Sequence, residues 1–240
     1  MNKELIQKIE ALFELRQLPW LLGQAEGLEV DLNDFHQRLI GLQYHIYQLD
    51  KYLEETWHPD PSVLSDLWAT CEIQLAGFGY SPGQTEQLLH SFYVYMQREL
   101  AIRAGRTPDR LNIRAFYWHK SCDVKLMRQL IYDRYPEVAE TFPKRCWIAF
   151  DYMTEIMDDV EDLQEDLHVY NGNRLLFALR EQSVKEVREE YLAFLDWIVN
   201  RSFPDRRKWP EWMIESFDQN VRTLRQELRQ VNLPKPVLQK

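Results

Sequence analysis

The fold of this chain is decided by the stretch Ile156-Met157-Asp158-Asp159-Val160-Glu161-Asp162-Leu163-Gln164-Glu165-Asp166. It lies in the segment 145–170, where apolar residues recur at steps of three and four. These residues are Ala149, Met153, Ile156, Val160, Leu163 and Leu167. Such a period predicts one long helix with a single apolar stripe that packs against a core.

The opposite side of this predicted helix is acidic. Between Cys146 and Asn173 the sequence has eight acids and no Lys or Arg. Most of these acids cluster around the line opposite the stripe, and together they form an acidic ridge. The ridge consists of Asp151, Glu155, Asp158, Asp162 and Glu165, flanked by Asp159 and Asp166. Each pair of like charges one turn apart costs about 0.2–0.5 kcal/mol. A bound Mg²⁺ would offset this cost, but a solvated acidic face is equally consistent with the pattern.

Proline and capping residues mark the ends of the other periodic segments. An N-cap residue precedes proline at Asp60-Pro61 and at Ser81-Pro82, and Ser183-Val184-Lys185-Glu186 is a capping box. The predicted helices cover 2–17, 33–57, 61–78, 83–104, 111–133, 145–170, 173–181, 183–202 and 209–230. No segment alternates as a strand does, so we expect an all-α, single-domain antiparallel bundle of about eight to ten helices over residues 1–232, with a tail at 233–240.

Composition and charge exclude several classes of protein. The 240 residues are 45% apolar and 28% charged, enough for a full core, and no apolar run approaches the length of a membrane span. We therefore expect a soluble, cytoplasmic protein that does not span a membrane, with Cys71, Cys122 and Cys146 as reduced thiols. The net charge of −9 disfavours nucleic acid as a partner, because duplex binding depends on Lys and Arg.

A lysine lies on the apolar side of the predicted helix 111–133. Lys120 and Asp123 share that side with apolar residues. The apolar residues are Phe116, Val124, Met127 and Ile131. Burial of an unpaired ammonium is costly, so three explanations are open. Lys120 extends to solvent, pairs with a carboxylate such as Asp123, or meets an anion in a cavity.

A second acidic pair lies on the predicted helix 33–57. The apolar stripe of that helix is Phe35, Leu39, Leu42, Ile46, Leu49 and Leu53. Asp50 and Glu54 are i,i+4 neighbours at the edge of this stripe. They either face the acidic ridge across the bundle or lie on an ordinary solvated surface.

Three features together resemble the class I isoprenoid synthases, the all-α enzymes that make or cyclise prenyl diphosphates. Asp158, Asp159 and Asp162 match the second aspartate-rich motif, DDxxD, which is followed here by the polar turn 171–174. The pair Lys120-Ser121, which begins 38 positions before Asp158, is similar to the Lys-Thr pair of prenyltransferases. The first aspartate-rich motif corresponds to Asp50-Lys51-Tyr52-Leu53-Glu54-Glu55, which departs from the family pattern because Lys51 replaces the second aspartate and glutamates replace the last.

The resemblance implies a fold, a cofactor and a substrate. It implies an isoprenoid-synthase-like bundle with a central, aromatic-lined cavity. It also implies a Mg²⁺-dependent enzyme that ionises a prenyl diphosphate for condensation or cyclisation. A homodimer is compatible with the resemblance. The metal ligands implied are Asp158, Asp159 and Asp162 on one wall and Asp50 and Glu54 on the other. The diphosphate would be bound by Lys120, Ser121 and Arg174, and the implied catalytic residues are Lys120 and the three aspartates of the second motif.

Two alternatives belong to other classes. The strings Glu55-Thr56-Trp57-His58 and Glu165-Asp166-Leu167-His168 are both Glu-x-x-His, the ligand pattern of di-iron carboxylate bundles such as ferritin-like proteins. The further glutamates needed, Glu26 and Glu137, lie near predicted helix ends, where inward-facing ligands are rare. The other alternative is a non-catalytic binding protein with the isoprenoid-synthase fold, which the altered first motif favours.

Overall fold

The computed structural model describes residues 2–25, 29–56, 58–103, 112–167 and 172–230, and these residues form helices without a strand. The prediction of an all-α protein is confirmed. The α-helices are α1 (Lys3–Leu15), α2 (Leu18–Leu22), α3 (Glu29–Glu55), α4 (Pro61–Gly77), α5 (Pro82–Arg103), α6 (Ile113–Lys120), α7 (Cys122–Arg134), α8 (Val138–Thr141), α9 (Ile148–Glu161), α10 (Leu163–Asp166), α11 (Arg174–Glu181), α12 (Val184–Ser202) and α13 (Glu211–Gln230). Two 3₁₀ helices, Lys144–Trp147 and Arg206–Lys208, precede α9 and α13.

The predicted helix starts are confirmed where capping residues identified them. The Asp60 side chain accepts a hydrogen bond from the Ser62 amide at 2.8 Å, and Pro61 is the first residue of α4. Ser183 and Glu186 form both hydrogen bonds of the capping box at the start of α12. These side chains satisfy amide groups that have no partner inside the helix, and they mark where α4 and α12 begin.

The number of helices was underestimated, because two predicted helices are interrupted. The predicted helix 111–133 breaks at Ser121, whose hydroxyl donates to the Tyr117 carbonyl at 3.1 Å. A side chain that bonds to the backbone in this way competes with the helical pattern. The predicted helix 145–170 begins as a 3₁₀ helix and breaks at Asp162, after a run of acids that is unfavourable at the negative end of a helix dipole. The short helices α2 and α8 were not predicted.

The chain divides into two compact units, which are described separately. The first consists of residues 1–106 and 122–141, and the second of residues 107–121 and 142–240. The prediction of one domain over residues 1–232 stays a prediction, and the predicted tail lies outside the described residues.

In the first unit, α3 packs against α1, α4 and α7. All six residues of its predicted apolar stripe are buried, which confirms the helical phase deduced from the sequence. In the second unit, α9 packs against α6, α11, α12 and α13, so it is the central helix of that unit. Its stripe residues Ala149, Met153, Ile156 and Leu163 are buried.

The three cysteines are buried free thiols, as predicted. Burial raises the pKa of Cys71 to about 12, with a further contribution from Asp50, and raises the pKa of Cys146 to about 11. Thiols of this kind are poor nucleophiles, because the reactive species is the thiolate. No helix among the described residues is long and apolar enough to cross a membrane.

Candidate functional site

The acidic side of α9 and α10 is not a solvated ridge throughout. Asp151, Glu155, Asp159 and Asp166 are buried, whereas Asp158 is half-buried. The remaining acids of the run, Glu161, Asp162 and Glu165, are exposed. The simple interpretation of a solvent-facing acidic surface is therefore wrong for half of the run, and the buried carboxylates need partners inside the second unit.

Lys120 supplies one such partner. Its Nζ atom lies 2.5 Å from Oδ1 of Asp159 and 2.8 Å from Oδ2 of Asp158. The lysine side chain is 13% exposed, the Asp159 side chain 0% and the Asp158 side chain 49%. Of the three explanations for an inward-facing lysine, the ion pair is present. The carboxylates are Asp158 and Asp159 rather than Asp123, the example given in the prediction, which accepts a hydrogen bond from Gln43 in the first unit.

Asp159 is the centre of a hydrogen-bonded cluster. Its Oδ2 atom accepts from the Tyr117 hydroxyl at 2.6 Å and from the Arg174 amide at 2.9 Å. Together with Lys120 on Oδ1, these donors engage both oxygens of the carboxylate. The Arg174 amide is at the first residue of α11, so the negative charge also lies at the positive end of that helix dipole.

Asn173 connects α11 to Asp159 on α9 and to Asp166 on α10. Its side-chain nitrogen donates to the Asp159 carbonyl at 2.7 Å and to Oδ2 of Asp166 at 3.0 Å. Its side-chain oxygen accepts from the Leu176 amide and caps the helix. One fully buried amide therefore fixes the position of α10 and α11 relative to α9.

The Arg174 guanidinium is bound by residues of α12. It binds Glu190 with hydrogen bonds of 2.6 and 3.2 Å, and it lies over the ring of Tyr191 at 5.5 Å. The Tyr191 hydroxyl in turn lies 2.8 Å from the Tyr117 hydroxyl. Arg174, predicted to bind diphosphate, thus contributes its backbone amide to Asp159, while its buried side chain forms an ion pair with the half-buried Glu190.

The cluster shifts several pKa values. Burial raises the pKa of Asp159, and the neighbouring Lys120 opposes that rise. Burial alone would lower the pKa of Lys120, but Asp159 and Asp158 outweigh it and hold the pKa well above its usual value, so the lysine is charged. Burial also raises the pKa of Asp166 to about 7, against the effect of its hydrogen bond from Asn173.

The other predicted site residues have varied surroundings. The Ser121 hydroxyl is buried and bonded to the Tyr117 carbonyl. Asp162 is exposed at the C-terminal end of α9, one turn after Asp158. Asp50 is half-buried on α3 in the first unit, and the side chain of Glu54 lies outside the described residues, as does Asn171.

The donor set of the second motif fits a metal ion only in part. Asp159 is a poor candidate for a metal ligand, because three protein donors already occupy its two oxygens. Asp158 and Asp162 are carboxylates with access to solvent, and Mg²⁺ commonly uses only one or two protein carboxylates besides water and phosphate. Over the described part of the chain, no three His, Cys, Asp or Glu side chains are grouped so that they could hold a metal ion.

Those residues of the di-iron alternative that the structure describes are not buried in a helix core. Glu55 is exposed and pairs with Lys51 at 3.6 Å, and His58 lies beyond the end of α3. Glu137 and Glu165 are also exposed. Glu26 and His168 lie outside the described residues.

A groove of about 750 Å³ lies in the first unit, between α4 and α5. None of the predicted site residues lines it. The central cavity implied by the family resemblance therefore stays a prediction.

Sequence reasoning missed several members of the Asp159 cluster. Tyr117 precedes Lys120 by one helical turn, so the helix period could have placed it on the same face. Tyr191 and Glu190 are on α12, far from the motif in sequence, and nothing in their local pattern distinguishes them from ordinary helix residues.

Comparison with protein-family models, with curated proteins and with solved structures finds no match to this chain.

Proposed function

We propose that this protein is a divergent isoprenoid-synthase-like enzyme that binds a prenyl diphosphate with Mg²⁺ and ionises it, for condensation or cyclisation. The observation that carries the proposal is the charged lysine beside the DDxxD aspartates: Lys120 Nζ lies 2.8 Å from Asp158 and 2.5 Å from Asp159. A buried ion pair contributes little net stability, so its presence at this motif favours a role in binding.

The three aspartates would have different roles in this proposal. Asp158 and Asp162, which have access to solvent, would hold the metal, and Asp159 would hold Lys120 and the start of α11 in position. When bound, the metal would supply stabilisation of the negative charge that develops on the departing diphosphate. Asp50 and Glu54 remain predicted ligands of the first motif.

Lys120 would act directly on the substrate. Its ammonium is held by a fully buried carboxylate on one side and a half-exposed one on the other. An incoming diphosphate would compete with Asp158 for the ammonium, while Asp159 keeps the lysine in place. Positioned in this way, the charge would meet the leaving group without a large reorganisation, which is how electrostatic stabilisation lowers a barrier.

A second candidate is a binding protein with the same fold and no catalysis. It is favoured by the engagement of both Asp159 oxygens by Tyr117, Lys120 and the Arg174 amide, which leaves two rather than three aspartates of the motif for a metal. Such a protein would bind a prenyl diphosphate without releasing diphosphate.

The deciding experiment combines a thermal shift with a diphosphate-release assay over prenyl diphosphates of increasing chain length, each with and without Mg²⁺. A ligand at a hundred times its Kd stabilises by about 2.7 kcal/mol, which raises the Tm of a protein of this size by about 5–10 °C. Stabilisation that needs both metal and ligand, with release of diphosphate, supports the enzyme. Stabilisation without release supports the binding protein.

Variants assign the effect to the site. The double variant Asp158→Asn with Asp162→Asn should abolish the metal-dependent stabilisation and the release of diphosphate. Glu215→Gln, which removes an exposed carboxylate from α13, is the matched control and should leave both unchanged. Unchanged turnover in the double variant would reject the assignment of the metal ligands.

A further inference from the structure

The groove between α4 and α5 has the size and lining of a small-molecule site. Its volume of about 750 Å³ falls within the range of about 300–1,000 Å³ that is usual for ligand pockets. At one end, Trp68 and Tyr93 form an edge-to-face pair with ring centroids 6.2 Å apart. Next to them Ile73 is 68% exposed, and Tyr93 itself is 50% exposed. Large apolar side chains with this exposure form a surface that a ligand can cover.

The charge of the groove selects the class of ligand. Glu72 on α4 and Glu86 on α5 both line it, and none of the lining residues that the structure describes is Lys or Arg. A diphosphate or another anion would be repelled there, so the groove is not the site proposed above for the prenyl diphosphate. A second copy of the chain packed symmetrically on the same face would bring these glutamates towards their own copies, which is also unfavourable.

A buried hydroxyl in the groove lacks a hydrogen bond. Thr85 lines the groove and is only 5% exposed, and its Oγ1 atom has no hydrogen-bond partner among the described residues. A buried polar group without a partner is destabilising, and native proteins contain few of them. Threonine in a helix uses two rotamers, so a rotation that exchanges methyl and hydroxyl would present Oγ1 to a bound ligand.

We propose that the groove between α4 and α5 binds an amphipathic organic cation, with its apolar body on Trp68 and Tyr93 and its ammonium group at Glu86, Glu72 and Thr85. The carboxylates attract the ammonium, the aromatic rings pack against the apolar body, and the ammonium would donate a hydrogen bond to Thr85. Tyr93 follows Glu86 by two helical turns, a separation of about 10 Å along α5. A ring and an ammonium joined by a short alkyl chain span that distance. This inference does not depend on the proposed function.

Three probes of similar shape test the charge preference: phenylbutylamine, phenylbutanol and phenylbutyrate, each titrated calorimetrically into the full chain. The titrations are made at about pH 8, where the amine is protonated. We expect the amine to bind about tenfold more tightly than the alcohol, and the carboxylate to bind most weakly. Equal affinity for all three, or binding of none, would overturn the proposal.

Substitutions then locate the site. Glu72→Gln with Glu86→Gln should remove the preference for the amine over the alcohol, and Tyr93→Ala should weaken both ligands. The control Glu215→Gln changes an exposed acid on α13 and should leave all affinities unchanged. Loss of the preference in the control as well would assign it to the net charge of the protein rather than to the groove.

Thr85→Val separates a role in binding from a role in structure. Because valine has the same shape and no unsatisfied hydroxyl, this variant should have a higher Tm and yet bind the amine about threefold to tenfold more weakly. A higher Tm with unchanged affinity would exclude the hydroxyl from the site.

Two measurements test the other possible occupants of the groove. Sedimentation of the Tyr93→Ala variant tests a second copy of the chain, and a titration with a lysine-rich helical peptide tests a peptide partner. A groove that binds only a second copy or only the peptide would contradict the proposal.

Discussion

Replacement of Lys120 by methionine tests the centre of the candidate site. Methionine keeps most of the volume of the lysine stem but removes the ammonium that binds Asp158 and Asp159. The fully buried Asp159 then loses its charged partner. We expect the free energy of unfolding near neutral pH to fall by about 3–5 kcal/mol, the usual cost of breaking one side of a buried ion pair.

The magnitude follows from the geometry. With an effective dielectric constant of about 20, unit charges separated by the Nζ–Oδ distances of 2.5 and 2.8 Å attract each other by about 6 kcal/mol per pair. Solvent screens much of the attraction to Asp158, whose side chain is 49% exposed, and the cost of burying the ammonium offsets part of the rest. Most of the expected loss therefore comes from Asp159.

The assay is urea denaturation of four proteins: the parent, Lys120→Met, Asp159→Asn and the double variant. The double variant should be more stable than the sum of the single effects predicts, by about 1–3 kcal/mol, because it leaves no unpaired charge. In Lys120→Met the pKa of Asp159 rises further above its value in the unfolded chain, so the penalty grows as the pH rises and shrinks as Asp159 takes up a proton at low pH.

Lys185→Met is the matched control, since Lys185 is 84% exposed and its ion pair with Glu189 is 3.9 Å long. It should change the stability by less than about 0.5 kcal/mol. If Lys120→Met behaves like this control at every pH, the lysine is not a buried partner of Asp159, and the ion pair does not organise the site.

Three further substitutions test the rest of the cluster by denaturation. Burial raises the pKa of Asp166 to about 7, so its contribution to stability should decline as the pH rises from about 4 to about 7. Asp166→Asn should remove that decline, and at about pH 8 it should be more stable than the parent by about 1–3 kcal/mol. Tyr117→Phe removes a hydroxyl that donates to Asp159 at 2.6 Å and should cost about 1–3 kcal/mol, and an unchanged stability would show that Asp159 has another donor available. Asn173→Ala removes two donated hydrogen bonds and a helix cap, and a loss below about 1 kcal/mol would contradict its connecting role.

The sequence predicted the helical phase of α3 and α9 and several helix starts, because periodicity and capping are local properties of the chain. It could not predict what each helix face meets. The helical wheel placed the acids of the run opposite the apolar stripe, but α9 packs against α6, α11, α12 and α13, and four of the eight acids are buried.

The partner of Lys120 was missed for a related reason. On the wheel Asp123 is the nearest carboxylate, one turn away, whereas the carboxylates that bind the lysine are 38 and 39 positions further along the chain. The breaks at Ser121 and Asp162 were missed because each is one residue long and leaves the apolar period nearly intact. Contacts between elements distant in sequence decide such details, and periodicity contains no information about them.

The buried charges of the second unit argue for function rather than stability. An apolar side chain of similar volume in place of Lys120 and Asp159 would pack as well in a helical core, and buried ion pairs replaced in this way often leave a protein equally stable or more so. We therefore expect α9 to pack against its neighbours without the cluster of Lys120, Asp159, Tyr117 and Arg174. The double variant Lys120→Met with Asp159→Asn completes the thermodynamic cycle, and it tests both the stability of the protein and its response to ligand. A folded protein that no longer responds to prenyl diphosphate and Mg²⁺ would assign the cluster to the ligand, and one that still responds would remove it from the site.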